Sequence, residues 1–228
     1  MKEISLILIY SLLLICIIPK NSDEFLNLGP GIMSFADDAD NLSADGFASQ
    51  NGGTTGGKGG ETIIVSSYKD FKAAVQSKDA KIVIVQGTIK TTDGDGYGLK
   101  VKSNKTIMGK DKKSTIYGGL SLSGVKNVIL YNINIQGSYP NPGPGDCIDI
   151  SNGSTNIWVH HVTVWDADDG NIDIKGKANY ITVSYCKFYY SNSKNPHRFN
   201  GLIGSGVLII LKILDILKLL IIIVGLEI

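Results

Sequence analysis

The chain has 228 residues, enough for one domain with a sizeable core. Its 22 Lys and Arg residues nearly balance its 21 Asp and Glu residues, which gives a formal net charge of +1. This balance excludes the overall electrostatic attraction by which strongly basic proteins bind nucleic acid, and we expect no nucleic-acid partner.

The first 20 residues have the layout of a secretory signal peptide. An apolar run, Ile4 to Ile18, follows the charged start and stops at Pro19-Lys20. The run is too short to span a bilayer comfortably, so we predict a protein secreted to the extracellular medium, with an uncleaved anchor as the alternative. Residues 21–45 are polar and acidic and are predicted to form a linker.

A glycine-dense loop, Gly52–Gly60, comes next and lacks the strand-then-helix context of a phosphate-binding loop. One amphipathic helix is predicted at Tyr68–Gln76, with Phe71, Ala74 and Val75 on one face. It would cap the first coil of the β structure that follows. Short strands that end at turn residues are predicted at Ile63–Ser66, Lys81–Val85, Thr88–Lys90, Lys105–Met108 and Ser114–Tyr117.

An Ile-Asp-Ile tripeptide occurs twice, at Ile148–Ile150 and Ile172–Ile174, which are 24 residues apart. A repeat of this length, built of short strands with no room for a helix, is typical of a solenoid. Coils of a solenoid must stack, and equivalent positions then form ladders. The sequence therefore predicts a parallel β-helix. The aligned pairs are Ile157 with Ile181, Val159 with Val183, and Val162 with Cys186, and an earlier run, Asn127–Ile135, starts 29 residues before Asn156.

The repeat also places four acidic residues on adjacent coils of one wall: Asp146, Asp149, Asp169 and Asp173. Asp169 and Asp173 flank a tight Asp-Gly turn, and Asp146 lies one coil earlier, opposite Gly170. Calcium binds several carboxylate oxygens, so this wall is a candidate cation site. The alternative is that these aspartates only form turns, because Asp-Gly is a common turn pair.

Residues 207–228 do not follow the repeat. Ile and Leu dominate this segment, and no turn residue separates strands within it. As a membrane helix it would contain Lys212, Asp215 and Lys218, and each central charge costs about 2.5–3.5 kcal/mol on insertion. We favour a shifted reading frame after about Gly206, and the alternative is a membrane anchor.

Six short motifs follow one another between residues 46 and 205. They are Gly46-Phe47-Ala48, Gly145-Asp146-Cys147-Ile148, Ile157-Trp158-Val159-His160-His161, Asp169-Gly170-Asn171-Ile172-Asp173-Ile174, Ile181-Thr182-Val183-Ser184-Tyr185 and Gly201-Leu202-Ile203-Gly204-Ser205. In this order and spacing they resemble the pectate lyases of the right-handed parallel β-helix type. The resemblance implies an all-β, right-handed parallel β-helix over residues 46–206 that is incomplete at its C-terminal end.

The resemblance also implies a monomeric enzyme that cleaves the α-1,4 bonds of polygalacturonate by calcium-dependent β-elimination. The family's calcium ligands correspond to Asp146, Asp169 and Asp173. A family lysine that contacts a substrate carboxylate lies just before the Leu-Ile-Gly motif, and Lys194 or Arg198 could take its role here. Arg198 is closer in spacing, and its planar guanidinium group suits a carboxylate.

The family's base is an arginine in an Arg-x-Pro segment, which this sequence does not contain. Arg198 is the only arginine among the 228 residues. If residues 207–228 are genuine, the chain is therefore expected to bind pectate poorly or not at all and to show no turnover. Two alternatives remain: a non-catalytic β-helix that binds polysaccharide or acts as a surface protein, and a hydrolase that would use Asp168 and Asp169 as paired carboxylates. The surrounding motifs match the lyases better.

Two further pairs of residues invite a functional interpretation. His160 and His161 are adjacent, and neighbouring residues of a strand face opposite ways, so we do not expect them to share one ligand. His161 aligns in the repeat with Asn132 and Tyr185, which predicts a structural ladder position. Cys147 and Cys186 could form a disulfide in an oxidising compartment or remain two separate buried thiols.

Overall fold

A computed structural model of the protein describes residues 39, 41–91, 98–141 and 145–204, with the backbone of 209–211 and 217–224. These residues belong to one compact unit, Ile32–Ile228. The predicted signal peptide and most of the predicted linker lie outside the described residues. A 3-10 turn spans Gly46–Ser49, and helix α1 spans Tyr68–Val75.

The strands of the described part of the chain are short and follow one another closely. They are β1 Glu61–Val65, β2 Lys81–Val85, β3 Thr88–Lys90, β4 Leu99–Lys100, β5 Lys105–Gly109, β6 Thr115–Tyr117, β7 Leu120–Ser123, β8 Lys126–Tyr131, β9 Asn134–Gln136, β10 Ile148–Ser151, β11 Thr155–His160, β12 Thr163–Trp165, β13 Ile172–Ile174, β14 Asn179–Tyr189, β15 Gly201–Ile203, β16 Ile209–Leu211 and β17 Leu217–Val224.

Strands β1 to β15 pair in parallel and form three ladders around a common core. One ladder runs β1-β2-β5-β8-β11-β14, the second runs β3-β6-β9-β12-β14, and the third runs β4-β7-β10-β13-β15. Strand β14 has 11 residues and is long enough to close both of the first two ladders. Successive coils add one strand to each wall, which confirms the predicted parallel β-helix.

The register of the ladders confirms the repeat found in the sequence. Ile148 pairs with Ile172, which is the 24-residue offset of the two Ile-Asp-Ile copies. On the neighbouring wall Val159 pairs with Val183 at the same offset. Strands β8 and β11 pair at the longer offset of 29 residues, since Lys126 lies opposite Thr155. The spacing of equivalent apolar residues in the sequence is thus the spacing of stacked coils.

The core consists of side chains that repeat at equivalent positions of the coils. One row on the first ladder is fully buried in five consecutive coils, and its members are Val83, Ile107, Leu130, Val159 and Val183. Alternate residues of a strand point to opposite faces, so every second residue of each short strand reaches this interior. Burial of these side chains is the main stabilising contribution that a coil receives from its neighbours.

Helix α1 covers the first coils, as the sequence predicts. The Ser67 hydroxyl accepts a hydrogen bond from the Asp70 amide and caps the N-terminus of the helix. Phe71, Ala74 and Val75 are buried against the core. The helix ends at Val75, one residue before the predicted end.

The segment before β1 packs on the outer face of the first ladder. Ala48 forms a small apolar cluster with Ile129 and Trp158 there. The Asn127 side-chain oxygen accepts hydrogen bonds from the amides of Thr55 and Gly56. The partners in these hydrogen bonds are more than 70 residues apart in the chain, so no local pattern in the sequence indicates this contact.

Two antiparallel strands follow β15. Strand β16 pairs with β15, and β17 pairs with β14 from Ile181 opposite Val224 to Phe188 opposite Leu217. Ile and Leu fit extended backbone well, and the edges of β14 and β15 offer them unpaired hydrogen-bonding groups. The segment considered above as a membrane helix therefore contains strands at 209–211 and 217–224.

Among the described residues, no helix has the length and apolar character needed to cross a membrane.

A corner of the coil repeats in a left-handed backbone conformation. Asn132, His161 and Tyr185 have φ values of +46°, +53° and +53°, so the alignment of these three residues is a structural ladder position, as the sequence predicts. This conformation interrupts the alternation of the strand. The rings of His160 and His161 consequently lie with their centroids 4.3 Å apart, and the expectation that they face opposite ways is wrong.

His160 makes the stability of the fold depend on pH. Burial, and after it the charge of His161, lower the pKa of His160 to about 4. Its Nδ1 lies 2.7 Å from Ser184 Oγ, whose neighbour is the Asp45 carboxylate at 3.4 Å, and its ring packs against Trp158. An unfolded chain has an ordinary histidine pKa of about 6.5. Between these two pKa values the unfolded state binds more protons, so the free energy of unfolding falls as the pH falls.

We expect His160→Gln to lose less of its unfolding free energy than the unmodified chain between about pH 7 and pH 5. Urea denaturation at the two pH values measures the difference. His197→Gln, a change at a side chain that is 60% exposed, is the matched control. An equal loss of stability in the His160 variant and the unmodified chain would contradict the assignment.

Candidate functional site

The acidic wall lies on the third ladder, where β10 and β13 run side by side. Ile148 and Ile150 of β10 point into the core, so Asp149 between them points outward. Strand β13 repeats the pattern, and its Asp173 pairs with Asp149. The parallel register therefore brings the two carboxylates of the repeated tripeptide to the same face, as the sequence predicts.

Asp146 and Asp173 converge above Gly170. The Gly170 amide donates a hydrogen bond of 3.1 Å to Asp146 Oδ1. A Cβ atom added at Gly170 would lie 2.8 Å from Asp173 Oδ1 and 2.9 Å from Asp146 Oδ1. The two Oδ1 atoms thus share a small space that a side chain at position 170 would fill. We call Asp146 and Asp173 the carboxylate pair.

The second oxygen of each member of the carboxylate pair faces Lys175. Its Nζ lies 2.7 Å from Asp173 Oδ2, 3.4 Å from Asp146 Oδ2 and 3.5 Å from Asp149 Oδ1. The other oxygen of Asp149 accepts a hydrogen bond of 2.9 Å from the Ser151 hydroxyl. Lys175 was not among the candidate residues predicted from the sequence. The available signal was its position two residues after Asp173, since residues i and i+2 of extended chain share a face.

Burial and mutual repulsion govern the ionisation of the carboxylate pair. Burial, followed by the charge of Asp173, raises the pKa of Asp146 to about 7, although the charge of Lys175 opposes this effect. Burial also raises the pKa of Asp173, and the hydrogen bond and charge of Lys175 oppose it. For Lys175, burial lowers the pKa, but the hydrogen bond and charge of Asp173 outweigh it and raise the pKa above its usual value. The pair therefore favours a nearby cation.

Asp169 stands beside this arrangement and not within it. Its side chain is 61% exposed, and its Oδ1 lies 3.4 Å from Nδ1 of His197 in the loop of the next coil. In the part of the chain that the structure describes, no three His, Cys, Asp or Glu side chains already surround one point as metal ligands. Of the three predicted ligands, the structure brings Asp146 and Asp173 together and turns Asp169 toward His197.

The two cationic residues proposed from the sequence lie in the loop after β14. Phe199 forms a parallel bridge with Gly170 and accepts a hydrogen bond from the Asn171 amide, so Arg198 lies on the coil next to the carboxylate pair. The backbone oxygen of Lys194 accepts a hydrogen bond from the Tyr139 hydroxyl, and its side chain is exposed. The backbone thus places Arg198 nearer to the pair along this row than Lys194.

Asp168 and Asp169, the pair considered for a hydrolase, have different partners. Asp168 Oδ2 accepts a hydrogen bond of 3.2 Å from the Ser138 hydroxyl, whereas Asp169 faces His197. A paired-carboxylate hydrolase site gains no support from this placement.

Cys147 and Cys186, which could have formed a disulfide, are two separate buried thiols.

The residues present fit calcium. Hard cations with flexible coordination bind carboxylate oxygens, and the space above Gly170 is lined by Oδ1 atoms from two aspartates. Asp169 is one residue before Gly170 and mostly exposed, so a rotation of its side chain would bring a third carboxylate toward this space. Asp146, Asp169 and Asp173 are therefore the residues that would hold the ion.

The sequence matches known proteins over the same region. A family model described as pectate lyase matches residues 25–205. Pectate lyase A of Emericella nidulans is 42% identical over 174 residues, which are 73% of this chain and 50% of that protein. The pectate trisaccharide-lyase of Thermotoga maritima is 37% identical over 142 residues, which are 60% of this chain and 38% of that protein. The chain thus spans half or less of the length of these curated relatives.

Solved structures agree with the sequence comparison. Pectate lyase Bsp165PelA from Bacillus sp. N165, crystallised in complex with trigalacturonate, superposes with a TM-score of 0.55 at 26% identity, covering 68% of this chain and 58% of that one. The thermostable pectate lyase PL 47 superposes with a TM-score of 0.55 at 21% identity over 67% of this chain and 62% of its own, which shows the shared fold. With its family model matching 181 consecutive residues, from 25 to 205, the chain belongs to the pectate lyase family.

Proposed function

We propose that this protein is a secreted, calcium-dependent lyase that cleaves polygalacturonate by β-elimination. The carboxylate pair above Gly170 is the observation that carries the proposal, because two buried carboxylate oxygens converge on one space there, and the resemblance assigns calcium ligands to the same two residues. Relatives named as pectate lyases, and a structural relative crystallised with trigalacturonate, support the substrate class. The apolar run within residues 1–20 supports secretion.

Asp146, Asp169 and Asp173 would hold calcium in this proposal. When bound, the ion supplies a divalent charge that attracts the substrate carboxylate and makes the neighbouring C5 proton more acidic. The protein groups contribute by fixing the position of the ion: β13 fixes Asp173, and the Gly170 amide fixes Asp146. Uronate chains carry one carboxylate per sugar, so binding through such a site is specific for an acidic polysaccharide.

Arg198 is proposed to bind a carboxylate of the substrate, with Lys194 as the second candidate. The parallel bridge between Gly170 and Phe199 places Arg198 one residue from the coil position next to the carboxylate pair. Its planar guanidinium group can donate two parallel hydrogen bonds to a carboxylate. In the β-elimination itself a base removes the C5 proton and the C4–O bond of the same sugar breaks. The oxygen leaves with the preceding sugar and takes up a proton there, and the C4=C5 double bond forms at the new non-reducing end of the other fragment. We assign no described residue to the role of base.

The first test is an assay of the full chain on polygalacturonate. Formation of unsaturated uronate product in the presence of calcium, detected by its ultraviolet absorbance, would show that the chain is a lyase although it contains no Arg-x-Pro segment. Removal of calcium with EGTA should abolish product formation, and added calcium should restore it. Binding of polygalacturonate without product would overturn lyase activity for this chain and favour the non-catalytic polysaccharide-binding alternative. Product formation that EGTA does not affect would overturn the calcium requirement.

A further inference from the structure

We propose that Lys175 is a displaceable internal cation, which neutralises the carboxylate pair while no divalent cation is bound and moves onto Asp149 when one binds. The inference rests on the proposed calcium site and concerns which group neutralises the carboxylates of that site while no divalent ion is bound. Lys175 Nζ contacts three carboxylates, two of which are proposed calcium ligands. The third, Asp149, is not one of the proposed ligands, and its oxygens contact Lys175 and the Ser151 hydroxyl.

The ammonium group and a divalent cation would compete for the same charge. Lys175 takes one oxygen of each member of the carboxylate pair, while the two remaining oxygens face the space above Gly170. A cation in that space would lie within a few ångströms of Nζ, with a single carboxylate group between the two charges. Repulsion between a divalent and a monovalent ion about 4 Å apart would weaken binding more than tenfold even in water.

Asp149 provides the place to which Lys175 can move. Asp149 is the register partner of Asp173, and its Oδ1 is already 3.5 Å from Nζ. The Ser151 hydroxyl holds the other oxygen of Asp149 and fixes the orientation of this carboxylate. The side chain of Lys175 is 35% exposed, which leaves it room to rotate. A small movement would therefore exchange two contacts with the proposed ligands for one closer contact with Asp149.

This arrangement also explains why the carboxylates tolerate proximity without a metal ion. Asp146 and Asp173 are each largely buried, at 15% and 8% side-chain exposure, and their Oδ1 atoms share one small space. Like charges this close repel one another strongly when water is excluded. The Lys175 ammonium group offsets that repulsion in the calcium-free protein, and its competition with the ion lowers the affinity for calcium.

Titration of the full-length protein with calcium chloride in a calorimeter tests the proposal. Lys175→Met keeps much of the side-chain volume and removes the charge, and we expect it to bind calcium at least about tenfold more tightly. Its calcium-free form should melt at a lower temperature than the unmodified chain, and calcium should raise its melting temperature by a larger amount. Lys100→Met is the matched control: Lys100 lies on the same ladder and, among the described residues, forms no ion pair with these carboxylates.

Asp149→Asn gives a second, independent measurement. It should weaken calcium binding in the unmodified background, because Lys175 then has no alternative carboxylate to pair with, and the effect should shrink several-fold when Lys175→Met is also present. If Lys175→Met does not fold, Lys175→Gln replaces it in both comparisons, since glutamine also removes the charge. Unchanged or weaker calcium binding by a folded Lys175→Met variant overturns the internal-cation role while the calcium site stands. Absence of calcium binding in both the unmodified chain and Lys175→Met overturns the proposed calcium site itself, and this inference with it.

Discussion

Replacing Gly170 by alanine is expected to weaken calcium binding about 10–100-fold while leaving the fold intact. The added Cβ would lie within 2.9 Å of an oxygen of Asp146 and of Asp173, which is closer than such atoms approach. Both oxygens are at the ends of side chains, so they can shift outward and relieve the clash at little cost in stability. The same shift moves them out of the space where calcium needs oxygens at about 2.3–2.6 Å. The variant therefore loses the arrangement of the ligand oxygens although it keeps every charged group of the site.

Calorimetric titration with calcium measures this effect, and two aspartate variants calibrate it. Asp173→Asn removes a proposed ligand and should weaken binding at least as much as Gly170→Ala. Asp168→Asn removes a neighbouring carboxylate that accepts a hydrogen bond from Ser138 instead, and it should leave calcium affinity unchanged within about twofold. Full calcium affinity in a folded Gly170→Ala variant would show that the space above Gly170 is not where calcium binds.

Much of the fold follows from the spacing of apolar residues, because stacking converts sequence offsets directly into contacts. The 24-residue repeat of Ile-Asp-Ile predicts both the pairing of Ile148 with Ile172 and the outward position of Asp149 and Asp173. Helix α1 was equally predictable, since its apolar face and its Ser67 cap are local features. The apolar positions and aspartates that recur at a fixed spacing in the sequence are the ones that occupy equivalent positions on neighbouring coils.

Features that depend on a single side chain or on a distant partner were not predictable in this way. The direction of Asp169 depends on the rotamer of an exposed side chain, and no pattern in the sequence indicates its contact with His197. Docking of the segment before β1 depends on individual side chains such as Asn127, which lies 72 residues from Thr55. The left-handed backbone of His161, at a corner of the coil, interrupts the two-residue alternation by which side chains of a strand point to opposite faces.

The candidate site combines a rigid part and an adaptable part. Asp149 and Asp173 lie within paired strands, and Asp146 is held by a backbone amide, so the stacked coils fix these three carboxylates. Asp169 and Arg198 lie outside the strands, in the segments beside them, and can adjust to a ligand. A binding site supported by regular elements is held more accurately than one built on loops alone. The repeat placed all four aspartates on one wall, and the structure brings Asp146, Asp149 and Asp173 together there but turns the exposed Asp169 toward His197.

Truncating Leu130 to alanine is expected to lower the free energy of unfolding by about 2–5 kcal/mol. Leu130 is fully buried in the middle of the row formed by Val83, Ile107, Val159 and Val183, and it touches the coils on both sides. The backbone of paired parallel strands cannot collapse into the cavity, so the lost contacts are not replaced. At about 2–4 °C per kcal/mol for a domain of this size, the melting temperature should fall by roughly 5–20 °C.

Thermal and urea unfolding measure the loss, and Ile64→Ala is the matched control. Ile64 is a residue of β1 with 54% of its surface exposed, so its truncation should change the free energy of unfolding by no more than about 0.5 kcal/mol. The comparison separates burial between coils from the general effect of removing an apolar side chain from a strand. Equal and small effects of the two substitutions would show that the stacked interior contributes little to stability. That result would contradict the claim that burial of side chains between coils is what mainly stabilises the fold. A large effect of Leu130→Ala alone supports it, because a coil then depends on its neighbours for its stability.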